Sequence, residues 1–173
     1  MEVRPFTLFL KGREGLVGAE IGSESGMNAL SMLKTLDIKT LYLVDIYDTY
    51  ADDRYREFKG SGVLNSKKEG EGCYKSALFN LRGYEDKIVW VIGKSSEGAS
   101  AINESLDFVY IDANHRYEYV KEDIEAYYPK VKIGGVIGGH DFKDQEPGVI
   151  RAVFEKFGDN IQSKDWDWWV VKR

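Results

Sequence analysis

Four side chains that can exchange protons or bind cations follow two apolar runs of the sequence. Asp112 and His115 come after the run Asp107–Ile111, and His140 and Asp141 come after a run of glycines and aliphatic residues. The chain has only two histidines, and both fall in these turns. Because the carboxyl ends of neighbouring parallel strands meet at one edge of a sheet, we expect the four side chains to form one site.

Two kinds of chemistry could use this site. His115 or His140 could act as a general base, since imidazole titrates near neutral pH and can take a hydroxyl proton as the oxygen attacks. Alternatively, Asp112, His140 and Asp141 could hold a divalent cation, and the histidine would favour manganese, iron or zinc over magnesium. A structural interpretation is that Asp112 caps a helix and that the histidines are hydrogen-bonded turn residues.

The first apolar run, Leu16–Ile21, leads into a turn that carries both glycines and carboxylates. Gly22 and Gly26 would permit a tight bend, but their Gly-x-x-x-Gly spacing is not the Gly-x-Gly-x-x-Gly of dinucleotide-binding folds. Glu20 and Glu24 would repel a diphosphate at this turn and attract a ligand with an ammonium or sulfonium group. Glu24 could instead be a partner of the helix dipole.

Asp45 ends the second apolar run, roughly 20 residues beyond the first turn, where a carboxylate can accept hydrogen bonds from ribose hydroxyls. A ribose joined to a positively charged amino-acid tail describes S-adenosylmethionine. We therefore expect this cofactor, with Ser23 and Ile46 also in its binding site.

Apolar runs and amphipathic stretches alternate along the chain, which predicts an α/β fold with a parallel sheet and helices on both faces. The predicted strands are Leu16–Ile21, Thr40–Val44, Ile88–Ile92, Asp107–Ile111 and Gly135–Ile137, followed by short terminal strands at Ile161–Ser163 and Trp168–Val171. The predicted helices are Asn28–Leu36, Tyr74–Leu81, Tyr117–Tyr128 and Val149–Phe157.

Composition favours a globular protein of one domain, residues 1–173. The chain has 43% hydrophobic and 31% charged residues, and at this length a core requires no disulfides. The single cysteine, Cys73, suits a reducing compartment, and no apolar run approaches the ~20 residues of a membrane span. We therefore expect a cytoplasmic protein. Residues 51–72 are predicted to be a polar insertion or mobile loop.

The ordered set of motifs resembles a short class I S-adenosylmethionine-dependent methyltransferase domain. The matching stretches are Val17–Gly26, Leu43–Asp45, Phe108–His115, Pro129–Ile137 and Trp168–Val171. The resemblance implies a doubly wound, mostly parallel seven-stranded sheet in the order 3-2-1-4-5-7-6, with strand 7 antiparallel. It covers nearly the whole chain outside residues 51–72.

The resemblance also implies roles for individual residues. Glu20, Gly22 and Gly26 would surround the methionine end of the cofactor, Asp45 would hold the ribose, and Asp112 would border both cofactor and acceptor. The chain departs from the family pattern after the third strand, where an acidic residue often lies near adenine. Here Ser95 could accept the hydrogen bond of the adenine amino group, or Glu97 could do so.

The acceptor side resembles metal-assisted O-methyltransferases, which have an aspartate after strand 4 and an acidic or amide pair after strand 5. We therefore expect methyl transfer to an oxygen of a small molecule or sugar, with Asp112, His115, His140 and Asp141 as the catalytic set. A nicotinamide-dependent oxidoreductase and a non-catalytic binding domain remain alternatives. The net charge of −5 argues against nucleic acid as a partner. The sequence is compatible with a homo-oligomer.

Aromatic residues are predicted to serve two purposes. Those expected to line the acceptor pocket are Tyr47, Tyr50 and Tyr117. Those expected to pack within the terminal hairpin are Trp166, Trp168 and Trp169. Residues 5–11 are a further segment that could cap the acceptor site.

Overall fold

The computed structural model describes residues 3–47 and 67–173 of the chain. Tyr50 and residues 51–66 of the predicted insertion lie outside the described residues. Residues 67–72 are not a loop, because they form the first turns of a helix, Lys67–Asn80. Lysine and glutamate are good helix formers, so a charged stretch can extend a helix whose apolar part begins later.

Seven strands of the described residues form one sheet. They are β1 (Leu16–Ile21), β2 (Ile38–Asp45), β3 (Ile88–Ile92), β4 (Leu106–Ile111), β5 (Val131–Gly139), β6 (Gln162–Lys164) and β7 (Asp167–Val171). Their order is β3-β2-β1-β4-β5-β7-β6, and β7 is antiparallel to both neighbours while the other pairs are parallel. The predicted topology is confirmed, although β5 extends further at both ends than expected.

Helices cover both faces of the sheet. They are α1 (Pro5–Leu10), α2 (Met27–Thr35), α3 (Lys67–Asn80), α4 (Ser95–Ala101), α5 (Tyr117–Tyr127) and α6 (Pro147–Phe157). Helix α4 was not predicted, because its small and polar residues have no apolar periodicity. None of the helices in the described residues is long and apolar enough to cross a membrane.

Alternation along the central strands divides the core into two halves. In β1, Val17, Ala19 and Ile21 pack with α5 and α6, whereas Leu16 packs with α1 and α2 on the opposite face. All six residues of β1 are buried, as expected for a strand with helices on both sides. The same alternation points Glu20 towards the face covered by α1 and α2.

Helix α1 packs against the sheet and does not cap the acceptor site. Phe6 and Leu10 are fully buried, and the Phe6 ring centroid lies 4.8 Å from that of Tyr110 in β4. The two apolar residues are one helical turn apart, so they face the sheet together. Arg4, just before the helix, is thereby brought to the carboxyl edge of the sheet.

The terminal hairpin confirms only part of the predicted tryptophan packing. Trp168 and Trp169 are buried in β7, on opposite faces of the sheet. Trp166 is 58% exposed, so its predicted packing is wrong. It lies in the turn between β6 and β7, where Asp165 and Trp166 both have positive φ, and a turn residue projects beyond the sheet.

Candidate functional site

A crevice of about 690 Å³ opens at the carboxyl ends of the parallel strands. This volume lies within the range of small-molecule sites. Apart from Gly26, every predicted cofactor-binding and catalytic residue lines it, as do Tyr117 and the unpredicted Arg4. The crevice has two halves, which differ in how their charges are paired. The first half lies at the ends of β1 and β2, and the second half lies at the ends of β4 and β5.

Two glycines shape the turn after β1. Gly22 has a φ of +85°, and a Cβ there would lie 2.2 Å from the backbone oxygen of Asp112. Gly22 therefore lets the ends of β1 and β4 approach each other. Gly26 is the N-cap of α2 with a φ of +75°, and a Cβ there would lie 2.8 Å from Leu81. Its role is to position α2 against α3.

Glu20 carries a buried carboxylate that is only half satisfied. Its Oε1 accepts a hydrogen bond of 2.7 Å from the Asn28 side-chain amide. Its Oε2 and the Asn28 Oδ1 have no hydrogen-bond partner among the described residues. Burial raises the pKa of Glu20 to about 8, although the hydrogen bond from Asn28 opposes the rise. Such orphaned acceptors are costly in a folded protein, so this pair is suited to a ligand that donates hydrogen bonds.

Asp45 is held at the edge of the crevice by backbone amides. Its Oδ2 accepts a hydrogen bond of 2.8 Å from the Glu24 N–H, and its Oδ1 accepts one of 3.0 Å from the Tyr47 N–H. Each carboxylate oxygen can accept a further hydrogen bond. The Glu24 side chain is exposed.

Tyr47 supports the half of the crevice beside Asp45 and does not line the acceptor pocket. Its ring is buried 4.9 Å from that of Tyr74 and 6.3 Å from that of Trp90, between centroids. Its hydroxyl lies 2.9 Å from the Ser23 Oγ. The prediction for Tyr47 is wrong because the backbone turns at this residue, with a φ of +45°, and directs the ring into the core.

Ser95 begins α4 beside the crevice and is anchored by α5. Its hydroxyl donates a hydrogen bond to Asp123, and its carbonyl accepts one of 2.7 Å from the Tyr127 hydroxyl. Burial raises the pKa of Asp123 to about 7, although the bond from Ser95 opposes the rise. The lone pairs of the Ser95 oxygen can still accept a hydrogen bond.

Asp112, His115 and Asp141 form a cluster at the other half of the crevice. One potential ligand atom from each lies within 4.8 Å of the others. The His115 Nε2 is 2.9 Å from an Asp141 oxygen, and the His115 Nδ1 is 3.6 Å from a Glu146 oxygen. The hydrogen bond to Asp141 raises the pKa of His115, so this environment favours the imidazolium.

Protein cations already neutralise the carboxylates of this cluster. The Arg4 guanidinium lies 3.0 Å from Asp112, and the Lys143 ammonium bonds to Asp141. Although desolvation opposes it, the hydrogen bonds from His115 and Lys143 hold the pKa of Asp141 well below its usual range. Arg4 and Lys143 each contact one oxygen of this cluster, so a divalent cation would compete with protein cations for the carboxylates.

His140 does not join the cluster as the predicted metal set required. Its Nδ1 lies 2.7 Å from an oxygen of Asp167, which is fully buried at the start of β7. Its ring centroid is 6.3 Å from that of the exposed Trp166. The structure therefore separates the two histidines, one among paired carboxylates and one beside the hairpin.

Arg4 and Asp167 are not predicted from the sequence, and neither are Asn28 and Lys143. Arg4 contacts Asp112 across 108 positions of the chain, and the buried Asp167 contacts His140 across 27 positions. No local motif marks Arg4 or Asp167, because the packing of α1 and β7 on the sheet brings each to its partner.

A family model described as "Methyltransferase domain" matches residues 19–142. No protein of the curated set matches the chain.

Solved structures resemble the fold at low sequence identity. The O-methyltransferase NovP has a TM-score of 0.66 and 17% identity, over 92% of this chain and 72% of that one. CalS11, a calicheamicin methyltransferase, has a TM-score of 0.64 and 13% identity, over 90% and 72%. A spermidine synthase from Thermotoga maritima has a TM-score of 0.61 and 16% identity, over 99% and 57%. These likenesses establish the fold alone.

Proposed function

Since the chain belongs to the methyltransferase-domain family, we propose that it transfers the methyl group of S-adenosylmethionine to an oxygen of a small molecule or sugar. The observation that carries this proposal is the buried, half-satisfied carboxylate of Glu20 at the crevice. A buried carboxylate needs a charged or donating partner, and the ammonium of the methionine moiety is such a partner.

The half of the crevice at β1 and β2 offers acceptors for the other parts of the cofactor. Asp45 is fixed by two backbone amides and would accept hydrogen bonds from the ribose hydroxyls. Ser95, held in place by Asp123 and Tyr127, would accept a hydrogen bond from the adenine. When bound, S-adenosylmethionine supplies an electrophilic methyl group on a sulfonium.

The half of the crevice at β4 and β5 suits an uncharged acceptor. Asp112 and Asp141 are paired with Arg4 and Lys143, so they do not call for a cation. His140 lines the same crevice and can receive the proton that a hydroxyl must lose. Alignment of the attacking oxygen with the methyl group would supply much of the rate enhancement.

Two alternatives have weaker support. A nicotinamide cofactor would bring its diphosphate to a turn that carries Glu20 and Glu24, where like charges repel. A purely non-catalytic domain gives no account of an orphaned carboxylate beside a crevice of small-molecule size. The family match favours methyl transfer over both.

Calorimetric titration tests the cofactor assignment. S-adenosylhomocysteine retains the ammonium, ribose and adenine, so it should bind the protein with one site per chain, whereas NAD should not bind. Binding of NAD without binding of S-adenosylhomocysteine would overturn the proposal.

The acceptor class needs a second experiment. The protein is incubated with methyl-labelled S-adenosylmethionine and a panel of hydroxyl-bearing sugars and phenols, matched to amine-bearing counterparts. We expect label on hydroxyl acceptors. Transfer to the amines alone would contradict oxygen as the acceptor atom.

A further inference from the structure

Asp167 lies at the centre of a buried hydrogen-bond network next to the crevice. Its Oδ2 accepts a hydrogen bond of 3.0 Å from the Phe6 N–H. Its Oδ1 accepts one of 2.8 Å from the Tyr110 hydroxyl and lies 2.7 Å from the His140 Nδ1. The side chain has no exposed surface, so it cannot contact a ligand in the crevice directly.

The network determines which nitrogen of His140 carries the proton. A carboxylate only accepts hydrogen bonds, so the His140 Nδ1 must be the donor, and the neutral ring then has a free lone pair on Nε2. That nitrogen has no hydrogen-bond partner among the described residues. The backbone N–H of His140 is fixed as well, by a bond of 3.0 Å to the Ile111 carbonyl.

The other histidine has carboxylates beside both of its nitrogens, Asp141 at 2.9 Å from Nε2 and Glu146 at 3.6 Å from Nδ1. The hydrogen bond to Asp141 raises the pKa of this ring, which favours its cationic form. His140 has a carboxylate beside one nitrogen only, so its Nε2 is the better placed of the two to act as a base.

We propose that Asp167 is a positioning residue that holds His140 as the Nδ1–H tautomer, so that Nε2 receives the proton of the acceptor hydroxyl. This inference rests on the proposed function. The hydroxyl oxygen forms a bond to the methyl carbon as the carbon–sulfur bond breaks. The electron pair of that bond goes to sulfur, which leaves as S-adenosylhomocysteine, and the hydroxyl proton goes to Nε2. The resulting imidazolium is stabilised by Asp167.

Arg4 and Tyr110 support the negative charge of Asp167. Arg4 donates a hydrogen bond of 2.6 Å to the Tyr110 oxygen, and its guanidinium lies 4.0 Å from Asp167. The other charged groups near His140 are Asp112 and Asp141, which are paired with Arg4 and Lys143. The position of Asp167 in β7 is thus set by groups from α1, β4 and the end of β5.

The tautomer can be measured without knowing the acceptor. Two-bond proton–nitrogen correlation spectra of uniformly ¹⁵N-labelled protein report which ring nitrogen bears hydrogen. The chain has two histidines, so a His115→Gln variant assigns both rings. We expect His140 to be the Nδ1–H tautomer at pH 8. A ring protonated at Nε2 would overturn the proposal.

Asp167→Asn should reverse the tautomer. The Phe6 N–H can only donate, so the Asn carbonyl must face it, and the Asn NH₂ then takes the position of Oδ1. There it donates to the His140 Nδ1 and forces the proton onto Nε2. In serine proteases the equivalent change lowers kcat about 10⁴-fold through the wrong tautomer. An unchanged His140 spectrum in a folded Asp167→Asn protein would also overturn the proposal.

A matched control is Asp165→Asn. Asp165 is exposed in the same hairpin with a φ of +49°, which asparagine tolerates, and the change removes the same charge. Its His140 spectrum should match that of the wild type. If Asp167→Asn does not fold, the wild-type tautomer decides alone.

S-adenosylhomocysteine titration separates this inference from the proposed function. If the wild-type protein binds S-adenosylhomocysteine but His140 carries its proton on Nε2, only the role of Asp167 is contradicted. If the wild-type protein does not bind S-adenosylhomocysteine, the proposed function itself is contradicted.

Discussion

The two halves of the crevice are both lined by carboxylates, yet they balance charge in opposite ways. At the ends of β1 and β2, Glu20 is buried with one oxygen unpartnered, and Asp45 is held only by neutral backbone amides. At the ends of β4 and β5, Asp112 and Asp141 already have Arg4 and Lys143 as partners. Among the described residues, no cation forms an ion pair with Glu20 or Asp45, whereas the carboxylates of the second half are paired with protein cations.

The number of carboxylates in a site therefore does not predict what the site binds. A buried anion without a cation is unfavourable and is stabilised when a cationic ligand arrives. An anion already paired within the protein gains little from a further cation and serves instead to position its partners. Variants that change the charge of one half at a time test this difference.

The largest effect is expected from Glu20→Gln. This change keeps the size of the side chain and removes the charge that would pair with the ammonium of the ligand. S-adenosylhomocysteine affinity should fall about 10- to 100-fold, as for loss of a charge-assisted hydrogen bond. Glu24→Gln, an exposed carboxylate of the same turn, is the control and should change affinity far less. Equal losses in the two calorimetric titrations would contradict a special role for Glu20.

Asp45→Ala should weaken S-adenosylhomocysteine binding roughly tenfold, because the ribose would lose its acceptors and two backbone amides would lose theirs. Asp45→Asn retains one acceptor oxygen and should be intermediate. An Asp45→Ala protein with wild-type affinity would exclude the ribose role.

A smaller effect is expected from pH. The pKa of Glu20 is about 8, so the ammonium must bind a group that is mostly protonated at pH 7. Affinity for S-adenosylhomocysteine should therefore rise about fivefold from pH 7 to pH 8, and binding at pH 7 should release a proton. The Glu20→Gln variant should lose this dependence. A flat pH profile in the wild type would contradict ionisation of Glu20 on binding.

The same pKa predicts a change in stability of the unliganded protein. Glu20 is protonated in the folded state up to about pH 8 but ionises near its ordinary pKa of about 4.3 when unfolded. Its contribution to the free energy of unfolding therefore falls as pH rises between these values and is lost above pH 8. Urea unfolding should show that Glu20→Gln is more stable than the wild type at pH 9. If the variant is less stable than the wild type at that pH, burial does not raise the pKa of Glu20 as stated.

The smallest effect is expected from metal removal. Because Arg4 and Lys143 occupy the carboxylates of the second half, dialysis against a chelator should leave both the melting temperature and S-adenosylhomocysteine affinity unchanged. Suppose instead that the protein holds one divalent metal ion per chain and that its removal lowers the melting temperature. That result would contradict neutralisation of the cluster by Arg4 and Lys143.

Much of the fold and of the first half could be predicted from the sequence. The apolar run of β1, buried on both faces, predicts a central strand, and the residues at its end and at the end of β2 enter the crevice as expected. The prediction that Trp166 is packed is wrong because Trp166 lies in the turn, one position before β7 begins at Asp167. Alternation places Trp168 inside, but nothing in the apolar pattern marks where the hairpin turns.

The second half could be predicted only as a set of residue types. The sequence predicts that four side chains lie near one another, but it does not predict which of them pair. These are Asp112, His115, His140 and Asp141. His140 pairs with Asp167 rather than with the cluster because β7 lies antiparallel beside β5, which brings the start of β7 to the end of β5. Which carboxylate meets which histidine depends on that strand contact.

The strands, the α/β class and the acidic character of the crevice can be predicted from the sequence, because apolar periodicity and strand-end residues are local properties. The pairing of Asp112 and Asp141 with Arg4 and Lys143, and the free nitrogen of His140, depend on the tertiary structure. Charge pairing acts over a few ångströms in space, so it cannot be seen in the order of residues. Residues as distant in sequence as Phe6 and Asp167 come within hydrogen-bonding distance only when α1 and β7 pack on the same sheet.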